Sequence, residues 1–101
     1  MAEREATVIE LPTNYTLLTR TQRQDVREQY ETAQNGDCYY CGEPLHGDPP
    51  GRIVNLPIRW GFFPEGFLNN PVHLQHDHET GMTEGAVHAR CNAVMWQYEG
   101  K

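Results

Sequence analysis

Three cysteines among 101 residues are too few to build a disulfide framework, and their odd number leaves one thiol over in any pairing. Two of them stand as Cys38-Tyr-Tyr-Cys41, a spacing that points both thiolates at one metal ion. Aliphatic residues are also scarce. Apolar residues make up 38% of the chain and the mean hydropathy is -0.73, so no deep hydrophobic core is expected, and a domain of this size then needs a metal to supplement it. No run approaches the roughly 20 apolar residues of a membrane span. Positive charge is scarce as well: 8 Lys+Arg against 14 Asp+Glu leave a formal charge of -6, which repels a polyanion at long range. The first residues carry Glu3, Arg4, Glu5 and Glu10 and lack the apolar stretch of a secretory signal. With reduced thiols, that leads us to expect a cytoplasmic protein.

What is present reads as a small zinc-stabilised α+β domain over residues 19–101, preceded by an arm over residues 1–18 with no sustained period. From Thr19 or Thr21 to Asn35 the residues are strong helix formers; Thr21 and Gln24 suit a capping box, and Gly36 suits a left-handed stop. Val26, Tyr30 and Ala33 share one stripe of that helix and are expected to face the core. Arg20, Arg23 and Arg27 share another, the chain's one basic cluster. A solvated face partnered by Asp25, Glu28 and Glu31 is preferred for it over phosphate contact.

Asp37 to Leu45 forms a tight turn around the two thiolates, with Gly42 letting the backbone fold back. Residues 46–71 are rich in Gly and Pro yet carry Ile53, Leu56, Ile58, Trp60, Phe62, Phe63 and Phe67, too apolar for a linker. We read an insertion that folds onto the domain, its aromatics preferred as packing material over a base-stacking or partner surface. Val72 to His78 alternates as a strand, Glu79 to Glu84 turns, Gly85 to His88 returns, and Ala89 to Tyr98 is a final helix. His88-Ala-Arg-Cys91 then meets the knuckle, completing a Cys38, Cys41, His88, Cys91 donor set for a closed structural zinc site. His76 or His78 is an alternative fourth donor, at the cost of a hairpin residue.

The run His73-Leu-Gln-His-Asp-His-Glu-Thr-Gly81, followed by Gly85, His88 and Cys91-Asn92, resembles the HNH endonuclease signature, as found in the phage recombination endonuclease VII family. The match covers roughly Arg20 to Tyr98; the connection at residues 46–71 is longer than that family's. The resemblance implies a zinc-held ββα-metal fold, a hairpin plus helix behind an N-terminal helix, that cuts DNA as an endonuclease or nickase with a catalytic Mg2+ or Mn2+. It puts His76 on the general base, Asn92 on the metal-binding residue of the helix, and Gln75 where the family has a metal-binding aspartate. Asp77 and His78 are the neighbours able to compensate for the missing carboxylate. His88 stands for a zinc cysteine, and Glu84 for a basic residue. The implied partner is DNA, reached directly or through a protein that delivers the chain to it, in a host cytoplasm if the gene is a phage's. The alternative is a catalytically degenerate HNH fold serving as a nucleic-acid-binding or protein-docking zinc module.

Overall fold

Helix α1 (Arg20–Ala33) begins where Thr19, in extended conformation, caps it. In the computed structural model, which describes residues 8–100, Thr19 Oγ1 accepts from Gln22 N at 3.2 Å and Gln22 Oε1 accepts from Thr19 N at 2.8 Å. The capping box is thus one pair upstream of the expected Thr21 and Gln24, because Thr21 already lies inside the helix. The helix ends as Asn35 and Gly36 both turn left-handed. Val26 is fully buried and Tyr30 partly so, but Ala33 is exposed, correcting the expected core stripe. Asp25 is buried too, and therefore does not belong to the solvated face.

The knuckle follows. Cys38 N donates to Glu43 O at 2.8 Å, and Gly42, at a positive φ, donates to Cys38 O at 3.0 Å. β1 (Val72–His76) and β2 (Thr83–His88) form an antiparallel pair with Val72 opposite His88 and Gln75 opposite Gly85. The register shifts between Gln75 and His76, leaving Glu84 without an opposite residue, so the return strand is longer than expected and bulged. The turn closes on Asp77, whose Oδ1 accepts from Glu79 N at 2.8 Å and Thr80 N at 3.1 Å. Gln34 joins α1 to the sheet: its amide donates to Ala86 O and accepts from Ala86 N, both at 2.9 Å. Gly85 lets Tyr39 lie on β2; a Cβ there would stand 2.7 Å from the Tyr39 ring.

α3 (Ala89–Glu99) buries Val94 and Met95 against Leu45, Ile53, Val87 and the cysteines. The long connection folds back as expected and contains a short α-helix, α2 (Gly51–Val54), and a 3-10 turn at Trp60–Phe62. It is stitched to α3: Arg90 donates to Val54 O at 2.9 Å, Tyr98 donates to Pro57 O at 2.6 Å, and Arg59 N donates to Gln97 Oε1 at 2.9 Å. The described part of the arm is not loose. Tyr15 N donates to Gly81 O at 2.8 Å, Thr83 N donates to Thr13 O at 2.8 Å, and Gln29 exchanges two bonds with Ile9. Glu3, Arg4 and Glu5 lie outside the described residues. No described helix is long and apolar enough to cross a membrane.

Candidate metal centre and adjoining cleft

Cys38 and Cys41 leave the knuckle pointing at the junction of β2 and α3, where His88 ends the strand and Cys91 sits one helical turn on. Their ligand atoms all lie within 4.8 Å of one another. His88 Nδ1 is 3.4 Å from Cys41 Sγ and 3.6 Å from Cys91 Sγ. Tetrahedral zinc with ordinary Zn–N and Zn–S bonds sets that edge at about 3.5 Å. His88 Nε2 donates to Pro44 O at 2.8 Å, which keeps the Nδ1 lone pair free for a metal. Backbone support is also in place: His88 N donates to Cys38 Sγ at 3.4 Å. Cys38, His88 and Cys91 are buried and Cys41 is half-buried.

The Cys38 thiol is held well below its ordinary range, first by the hydrogen bond from Cys91 and then, against burial, by backbone N–H groups of Cys41, His88 and Tyr40. The Cys91 thiol, as the donor of that bond, is pushed up. Three clustered cysteines beside an oriented imidazole are a donor set that could hold zinc. His76 and His78 are not part of it among the described residues.

On the other side of the hairpin, α1 and β1 enclose a cleft of about 540 Å³. His73, Gln75 and His76 of β1, His78 beyond it and Asn92 of α3 line one wall; Arg20, Arg23 and Arg27 line the other. Tyr15 stacks on His76 at 4.0 Å between centroids and 6° between planes, and the Arg23 guanidinium lies 4.2 Å over the outer face of Tyr15. His78 meets His76 edge-on at 4.7 Å. Burial first, then the neighbouring His78 and Arg23, lowers the His76 pKa from 6.5, so its imidazole stays neutral near pH 7. Burial likewise lowers that of His73. Asn92 Nδ2 donates to His73 Nδ1 at 3.1 Å, so within the cleft Asn92 is tied to His73 and not to His76. Compared with protein-family models, curated proteins and solved structures, the chain finds no match.

The basic stripe is divided between its two readings: Arg20 is exposed and Arg27 Nε lies 3.9 Å from Glu31, as on a solvated face, yet all three arginines line the cleft. The Nε atoms of Arg23 and Arg27 are buried with no hydrogen-bond partner among the described residues, while both side chains line the cleft. Tyr15 and Phe67, also at the cleft, carry no motif in the sequence; only the hairpin's pairing with the arm brings Tyr15 there. Gln75 is buried, its Nε2 donating to His76 O at 3.0 Å and Glu84 Oε1 at 3.3 Å. Asp77 does not line the cleft, its Oδ1 being the cap of the turn. No carboxylate is among the lining residues, and a hard divalent cation does not fit that donor set of imidazoles and amides.

Proposed function

We propose that the chain is a DNA-directed phosphodiesterase of the HNH kind, an endonuclease or nickase, with a structural zinc ion on Cys38, Cys41, His88 and Cys91. One observation carries this reading: the chain's basic stripe and the histidine suited to act as base share a single cleft. Arginine forks bind phosphate oxygens bidentately, and three arginines line this cleft. His76, neutral near pH 7 and held by Tyr15, takes the proton of an attacking water as its oxygen bonds to phosphorus; one P–O ester bond breaks, and the leaving oxygen takes a proton from solvent. Arg20, Arg23 and Arg27 then face the charge that builds on the phosphate. No step is routed through a catalytic cation, because Gln75 and Asn92 offer no negative charge for one.

The test is supercoiled plasmid incubated with zinc-loaded protein in magnesium, manganese or no added divalent cation, beside His76→Ala. Nicking that falls by about 10²- to 10⁴-fold in the variant supports hydrolysis by this base. Absence of nicking in every condition, with the fold intact, leaves the second reading, a nucleic-acid-binding module. That reading is favoured by the same cleft and by the missing carboxylate at position 75.

A further inference from the structure

The cleft does not end at His78 and Asn92. Both residues, with Phe67, also border a second cavity of about 230 Å³, whose other walls are Phe62, Phe63, Pro64 and Trp96. Its walls come from the long connection and from the outer face of α3, and they are aromatic. Phe63 packs edge-on against Trp96 at 5.2 Å and tilts against Phe67 at 4.9 Å, which fixes the inner wall. Phe62 at 67% and Trp96 at 45% exposure leave ring surface open at the rim. A charged cleft that leads into an aromatic cavity matches the two halves of a nucleotide: phosphate on the arginines, base among the rings.

We propose that residues 46–71 build a base pocket, and that the ligand of this site is an unpaired nucleotide, in single-stranded or locally opened DNA, whose phosphate lies in the arginine cleft. This rests on the reading of that cleft as a phosphodiester site. The cavity is large enough for one base. The charge balance points the same way. A protein of net charge -6 is poorly matched to a long duplex, whereas one nucleotide requires cations only locally, and Arg20, Arg23 and Arg27 supply them. Base–aromatic stacking then contributes affinity that does not depend on charge.

The test is direct binding without added divalent cation, in a Trp60→Phe background so that Trp96 is the sole tryptophan fluorophore. The ligands are a short oligothymidylate, an abasic chain of equal length and charge, and the oligothymidylate paired to its complement. The base-bearing single strand is expected to bind about tenfold or more tighter than the abasic chain and to quench Trp96. Phe62→Ala, at an exposed position, removes that preference while leaving abasic binding in place, and Arg20→Ala weakens both strands together. Equal affinity for base-bearing and abasic chains, or duplex binding as tight as single-strand binding, overturns the pocket. Plasmid nicking alongside equal affinities would sink this inference alone; base-selective binding without nicking would sink hydrolysis alone.

Discussion

At the residue scale, Gln75 decides what the cleft can hold. It is 1% exposed, and its amide donates toward the Glu84 carboxylate and the His76 carbonyl. Gln75→Asp removes both donors and sets a second carboxylate near Glu84, so the metal-free variant is expected to lose about 1–3 kcal/mol or more. The same two carboxylates create the hard-cation site that the wild-type cleft lacks, so manganese is expected to raise the variant's melting temperature and any nicking above the wild type's. A melting temperature indifferent to manganese would mean that Glu84 and the introduced carboxylate do not converge on one ion.

The cleft histidines make a second statement at this scale. Burial lowers the folded-state pKa of His73 and His76 below their ordinary 6.5, so the unfolded chain binds the extra protons first. The stability drawn from keeping them neutral is complete above pH 6.5 and is lost as pH falls below that value toward their folded pKa. Loss of zinc in acid acts in the same direction, so the measurement is a difference: the pH dependence of the melting temperature in wild type against His73→Gln/His76→Gln. The variant is expected to show the shallower fall below pH about 6.5. Parallel curves would refute the burial argument.

At the scale of elements, α1 links the arm, the sheet and the cleft, so its first turn governs more than its own length. Thr19→Ala removes the acceptor for Gln22 N and is expected to cost about 1 kcal/mol, read as a shift of the urea midpoint at unchanged slope. No change would place the stability of this end in the docked arm instead. The helix, the knuckle, the hairpin and α3 were legible because each carries a local signature: a capping residue, paired cysteines, alternation, and a Gly stop. The position of the cap was displaced because Thr19 and Thr21 both have suitable partners three residues on, and only tertiary placement chooses between them. The arm's docking on the Asp77–Met82 turn was not legible, since it depends on backbone pairing that Thr13, Asn14 and Tyr15 do not advertise. The arginine stripe was visible as a pattern, but whether it meets water or the hairpin's histidines depends on how α1 crosses β1. The connection's aromatics were read as packing material, and they are divided: Phe63 and Phe67 are half-buried against each other, while Trp60 and Phe62 are exposed, and it is the aliphatic Ile53, Leu56 and Ile58 that enter the core.

At the scale of the molecule, the Cys3His cluster lies within the hydrophobic core and does not merely adjoin it. Cys38 and Cys91 pack with Leu45, Ile53, Val87, Val94 and Met95, and the same cluster joins the knuckle to the strand and helix that carry Asn92. With so few aliphatic residues buried, binding of zinc and folding should be one equilibrium, as in small zinc domains where the apparent metal contribution is about 10–16 kcal/mol. A strong chelator is therefore expected to unfold the whole chain cooperatively, releasing one zinc per chain as the circular dichroism signal falls. Cys91→Ser should reproduce that loss, because a serine hydroxyl neither ionises in that site nor binds zinc comparably. Arg20→Ala, remote from the cluster, should leave metal content unchanged. Retention of structure after complete zinc removal would show instead that the docked arm and the stitched connection suffice, and the cluster's part in holding Asn92 near the cleft would then be carried by packing alone.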